Sequence, residues 1–166
     1  MDSVVHAIVD TLSGKISKEF IVFLVSLVPL LELRGSILAA GFMQMDFLHT
    51  YIAAVIGNML PIPFILLFIK NIFAWMKTRE KLRKIPEWCE KKAMSKSDQI
   101  DKYGYLGLLL FVAIPLPGTG AWTGALIASL LGMRVRKSLL SIFCGVAVAG
   151  LIMSMLAFGI IKNIIA

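Results

Sequence analysis

Charge is what this sequence has least of. Only 16% of its 166 residues are Asp, Glu, Lys or Arg, while 58% are hydrophobic and the mean hydropathy is +0.86. Soluble domains carry roughly 25% charged residues. A chain this poor in them has too little polar surface to cover its apolar side chains in water. The shortage argues against a soluble enzyme and for a chain whose apolar surface is solvated by lipid.

The usual reactive groupings are also missing. The two cysteines, Cys89 and Cys144, are far apart, one in a basic polar stretch and one in an apolar stretch. His6 and His49 have no ligand company, so no disulfide, metal site or cofactor is expected. There is no HExxH, no GxSxG and no second carboxylate within an apolar stretch to pair with Glu32. The chain is therefore read as not an enzyme. The one Gly-rich run, Pro117-Gly118-Thr119-Gly120, lacks the Gly-Lys-Ser/Thr ending of a nucleotide-binding loop. No basic region precedes an apolar core at the N-terminus, so no cleavable signal peptide is expected. Instead Val4, Val5, Ile8, Leu12 and Ile16 follow helical spacing, which predicts an amphipathic helix over 1–19 lying at the membrane interface.

What the chain does contain is four apolar stretches: Phe20–Met45, Phe47–Ile69, Gly104–Met133 and Leu139–Ile161. The second and fourth are each about 23 residues, enough to cross a ~30 Å hydrocarbon core as a helix. The second carries Gly57, Asn58, Pro61 and Pro63 and is expected to kink. The first and third each split into two arms of about a dozen residues, each arm reaching about half the hydrocarbon thickness. The first breaks around Glu32-Leu33-Arg34-Gly35. In the third, Pro115 and Pro117 remove two backbone donors and Gly118 and Gly120 loosen the chain.

Ten of the seventeen Lys and Arg fall between Lys70 and Lys102. A basic block between hydrophobic spans reads as a cytoplasmic loop beside anionic headgroups rather than a nucleic-acid site. Gln44-Met45-Asp46 has no basic residue and is then outside. Arg134-Val135-Arg136-Lys137 is basic, and it returns to the cytoplasm only if the third stretch is re-entrant. Trp75, Trp88, Tyr103 and Tyr105 suit interfacial belts. A shift of 88 positions pairs Phe23 with Phe111, Pro29 with Pro117, Met45 with Met133 and Gly57 with Gly145. The order hairpin, span, hairpin, span, with each half crossing once, makes the second half an inverted copy of the first, a transporter architecture.

Glu32 and Arg34 are the strongly charged residues within these stretches, and such residues at membrane depth mark sites by default. Arg34 would hold a phosphate or carboxylate by forked hydrogen bonds, with Glu32 balancing it or carrying a proton. The alternative is a structural ion pair. Pro117, Gly118, Thr119 and Gly120 would form an opposing tip whose backbone N–H groups line an anion site, or else a plain helix break. Asn58 would join the site from the second stretch or bond across helices.

The segment Pro29-Leu30-Leu31-Glu32-Leu33-Arg34-Gly35-Ser36-Ile37, followed by Pro115-Leu116-Pro117-Gly118-Thr119-Gly120-Ala121-Trp122-Thr123-Gly124, resembles the small multidrug export family over nearly the whole chain. That family is similar to the DedA/VTT superfamily, which implies two re-entrant hairpins flanking spanning helices, with acidic and arginine residues at the hairpins. Some members of that superfamily are implicated in moving polyprenyl-phosphate or other lipids. Glu32 and Arg34 match that pattern; the third stretch departs from it in having no arginine.

The reading is thus an all-α membrane protein in one membrane domain. An amphipathic helix (1–19) precedes a first repeat (20–69), a basic cytoplasmic linker (70–103) and a second repeat (104–166). Each repeat is a re-entrant helical hairpin plus a transmembrane helix. The expected function is transport of an amphiphile with an anionic head, such as a lipid-linked phosphate, across the cell membrane. Proton-coupled efflux of cationic drugs through Glu32 and a non-transporting scaffold are the alternatives. Membrane lipids and a second copy of the chain, in a homodimer, are the expected partners. On a cysteine-free background, single cysteines in the linker and at 134–137 should both label from the cytoplasmic side, and those at the termini from outside. Labelling of 134–137 from outside alone would eliminate the re-entrant third stretch.

Overall fold

The computed structural model describes residues 17–29, 31–116 and 118–165, with side chains given through residue 159. The expected amphipathic helix lies outside the described residues except for its last three positions. Among the described residues there are eight helices and no strand: α1 (Lys18–Leu27), α2 (Glu32–Phe42), α3 (Phe47–Met59), α4 (Ile62–Lys77), α5 (Lys84–Met94), α6 (Asp98–Ala113), α7 (Ala121–Leu130) and α8 (Val135–Ile165). Contacts divide the chain into two compact units, Met1–Leu60 with Val146–Ala166, and Pro61–Gly145.

Local chemistry explains most helix ends. Ser17 caps α1 by accepting the Phe20 N–H, and the helix stops where Val28, constrained by Pro29, turns extended. Asp46 caps α3 by accepting the Leu48 and His49 N–H groups at 3.0 and 3.2 Å. These backbone bonds, with the His49 ring, hold the Asp46 carboxyl below the usual carboxylate range, so the cap is charged at neutral pH. The expected kink in the second stretch falls at Leu60-Pro61, between α3 and α4. Around it, Phe47–Lys77 and Val135–Gly159 are each long and apolar enough to cross a membrane. On the former, Leu48, Ile52, Ile56, Leu60, Phe64, Phe68 and Ile72 recur every fourth residue, and all are exposed. Apolar side chains left so exposed on each helix suit lipid, not water.

In the first unit the arms α1 and α2 pack against each other, and Lys18 Nζ donates to Met43 O at 2.9 Å, so the two ends of the first stretch meet. In the second unit the chain reverses at Gly104, where φ is +57°. A Cβ on Gly107 would then overlap the Gln99 carbonyl, so residues 105–113 lie back along the start of α6. Gly124 of α7 rests on Val112 and Leu108, and the Tyr105 hydroxyl accepts the Arg134 N–H at 3.1 Å. The ends of the third stretch therefore also meet.

The register of 88 residues recurs in these elements. α2 ends at Phe42 and α7 at Leu130; the next helices start at Phe47 and Val135. Both second arms close with the same cap. Met45 N–H bonds Ala40 O, and Met133 N–H bonds Ala128 O, across left-handed Gln44 and Gly132. A glycine of the following helix sits on the first arm in each unit. A Cβ on Gly57 would lie 2.6 Å from Phe23 O and overlap Ser26 Oγ; one on Gly145 would lie 2.8 Å from Leu109 O and 2.7 Å from Val112 Cβ.

The linker is itself largely helical. The exposed Trp75, Trp88 and Tyr103 each carry a basic side chain over the ring, Arg79, Lys92 and Lys102 respectively, at 5.9, 4.6 and 5.2 Å. That pairing of aromatic and cation suits the headgroup layer.

Because the space beside Gly57 and Gly145 is already filled, Gly57→Leu and Gly145→Leu should each destabilise by about 1–3 kcal/mol through overpacking. Thermal unfolding of the purified protein in detergent checks this. An unchanged midpoint in both would mean that the helices do not approach at these glycines.

Candidate functional site

The first break spans Val28 to Leu31. Its backbone is partly self-satisfied: the Leu31 and Glu32 N–H groups both reach Val28 O, at 3.1 and 2.8 Å. Helix α2 restarts from Leu31 without a side-chain cap. Glu32 is its first residue and is 7% exposed. A carboxylate there complements the positive end of the helix dipole. Arg34, two residues on and half-buried, sits at that same positive end, where a cation is disfavoured unless an anion accompanies it. Glu32 supplies one, close enough for its charge to act on the guanidinium.

Glu32 also holds an unusual backbone. Its φ is +47°, in the left-handed region that costs a non-glycine residue about 1–2 kcal/mol. A regular helix points residues two apart about 200° from one another. The left-handed step at the helix start is the irregularity that lets Glu32 and Arg34 occupy one region.

Asn58 lies in the last turn of α3. The short turn Met43–Asp46 joins α2 to α3, which pack together. At 1.5 Å per residue, Glu32 stands about 15 Å from that turn along α2 and Asn58 about 16 Å along α3. Gly57, its neighbour, contacts Ser26 near the break end of α1. Asn58 is 3% exposed and its Oδ1 has no hydrogen-bond partner. A buried acceptor left without a donor costs about 1–3 kcal/mol.

The expected tip residues of the other unit are organised differently. Pro117 lies outside the described residues. Gly118 has φ +76°, and Gly120, at φ +149°, precedes α7 as its N-cap without a side-chain cap. The Thr119 hydroxyl is 2.9 Å from both Ile114 O and Leu116 O, which also accept the Leu116 and Thr119 N–H groups at 2.8 and 3.2 Å. Lys96 Nζ donates to Gly118 O at 3.0 Å. The third stretch contains no Lys or Arg, yet a cation reaches its break from the linker. No local signal announces this, since Lys96 is one of many lysines in a basic run.

The family model described as "Putative small multi-drug export protein" matches residues 32–152, from Glu32 into α8. No curated protein and no solved structure matches.

The left-handed backbone makes a sign prediction. In an ordinary helix Ala is more stable than Gly by about 0.5–1 kcal/mol. At position 32 the order should invert: Glu32→Gly should be more stable than Glu32→Ala by about 1 kcal/mol, because both lose the carboxylate but Gly alone relieves the strain. Denaturant or thermal unfolding of the two variants side by side reads it; Ala above Gly would refute the strain.

Proposed function

The chain belongs to the small multi-drug export protein family, as a membrane protein, and on that premise we propose that it transports an amphiphile with an anionic head group, Arg34 binding the head. The observation that carries this reading is Arg34 in the first turn of an interrupted helix, beside a buried carboxylate on strained backbone. A helix N-terminus and a guanidinium both favour an anion. At rest Glu32 is that anion. A phosphate head, with more acceptor oxygens and more charge than a carboxylate, competes with Glu32 for Arg34. The unpartnered Asn58 Oδ1 then receives a hydroxyl of the head group.

The folded-back stretches are taken as re-entrant, the two halves as inverted copies, and the protein as a multi-pass homodimer of the cell membrane. Two stretches whose ends meet and two helices of spanning length favour the re-entrant part of this reading. Gly118, Thr119 and Gly120 serve the head group through the open N-terminus of α7 in their own unit.

A second reading has its own support. A buried Glu32 suits a cationic compound exchanged for a proton, and the family's description names multi-drug export. The two readings differ in the sign of the bound ligand.

In reconstituted vesicles, Arg34→Ala should abolish movement of a fluorescent anionic lipid, and Arg34→Lys should restore only part, lacking the guanidinium fork. Losing one charge-assisted hydrogen bond of about 1.5–3 kcal/mol lowers affinity by roughly 10- to 150-fold. The double variant Glu32→Leu with Arg34→Leu separates site from scaffold. A buried pair replaced by apolar groups keeps its stability. A stable double variant that still moves lipid would rule out this site. Loss of cationic-drug efflux with lipid movement intact would instead favour the second reading.

A further inference from the structure

We propose that the outer face of α5 is a docking surface for anionic lipid headgroups, which it gathers around the linker. At about 100° per residue, Lys84, Ile85, Trp88, Lys91 and Lys92 fall within an arc of about 120°. All five are exposed, Trp88 at 61%. Helix α5 packs on α4 and α7, and its buried Pro86 and Ala93 lie on the side opposite the arc.

No acid shares the arc. The two carboxylates of α5, Glu87 and Glu90, lie outside it, and each already has a cation. Arg83 Nε donates to Glu87 at 2.6 Å, and Lys77 Nζ donates to the two Glu90 oxygens at 2.8 and 2.7 Å. Among the described residues, the ion pairs include none of Lys84, Lys91 and Lys92. The face thus presents three ammonium groups whose charge nothing on the helix offsets.

The same pairs hold this face at the membrane surface. Lys77 ends the apolar helix Phe47–Lys77, which is long enough to cross a bilayer. Its bond to Glu90 fixes the middle of α5 against that end, where a span leaves the hydrocarbon for the headgroups. Residues 78–83 separate α4 from α5, a reach of at most about 20 Å. The side chains suit that layer. Lys92 Nζ lies 4.6 Å from the centroid of the Trp88 ring, so apolar ring and cation are presented together. Water solvates the lysines but gains nothing from an exposed Trp88 and Ile85. A headgroup layer takes the ring, and negative lipid takes the ammonium groups. This surface serves the protein whichever cargo it carries.

Fluorescence quenching of Trp88 in the full chain tests this. The protein is reconstituted in vesicles of phosphatidylcholine and phosphatidylglycerol, with one lipid or the other brominated high on its acyl chain. The Trp88 signal is the part that Trp88→Phe removes. Brominated phosphatidylglycerol should be preferred over brominated phosphatidylcholine by about five-fold for each lysine engaged. Salt at about 1 M should erase the preference without any substitution. Lys84→Gln, Lys91→Gln and Lys92→Gln together should erase it too, whereas Arg at all three positions should keep it. These side chains are exposed, so the thermal midpoint should stay unchanged in both triple variants. Equal quenching by the two lipids in the parent protein, or a preference that survives salt and the Gln variant, would overturn the proposal. So would a Trp88 reached by acrylamide but by neither lipid, which means a face open to water. A Trp88 reached by none of the three would also refute it, since a second copy or a partner protein then covers the face.

Discussion

An interrupted helix in an apolar segment creates backbone groups that need partners where water is scarce, and the structure is organised around meeting that need twice. The two breaks use different solutions. At the first, the chain turns tightly enough for Val28 O to accept from Leu31 and Glu32, which leaves the electrostatics of the restarting helix as the remaining problem. At the second, backbone N–H groups again reach the carbonyls, Leu116 to Ile114 O and Thr119 to Leu116 O, and side chains add to them, Thr119 from within and Lys96 from the linker. Non-helical backbone is tolerated in a membrane setting only when shielded in this manner.

Small residues make the surrounding packing possible. Gly57 and Gly145 bring a long helix onto the backbone of the preceding arm, closer than any side chain would permit. In lipid, where apolar side chains gain little by leaving solvent, such close approach is a main source of helix association. The matching caps at Gln44-Met45 and Gly132-Met133 end both second arms in the same way, and both following helices begin in the same register.

Charge placement then ties fold to chemistry. Arg34 at the positive end of α2 is unfavourable alone, and Glu32 offsets it at the expense of a left-handed backbone. The arrangement is held together by opposing terms of similar size, which is the condition under which an incoming charged group changes the balance. The same unit holds an amide acceptor with no donor, Asn58 Oδ1. These features go with membership of an export family, whose model begins at Glu32 itself.

Much of this is legible in the sequence. Apolar runs mark the helices of spanning length, Pro29 and Pro115 mark where the helices must break, and Glu32 and Arg34 stand out because charges are so rare in their surroundings. These signals act over a few residues, through steric limits on φ and ψ, through missing donors and through the cost of a charge in an apolar run. The register of 88 residues is visible as well, since it depends on the order of such local features. What the tertiary structure decided are the meetings between residues far apart in the chain: Lys18 with Met43, Tyr105 with Arg134, and Lys96 with Gly118. The left-handed turn at Glu32 belongs with these, because glutamate has no preference for that conformation and only the packing around it imposes one. Nothing in the sequence distinguishes Lys96 from the other lysines of the linker. Its contact arises because the chain reverses at Gly104 and the break leaves a carbonyl within reach of its ammonium.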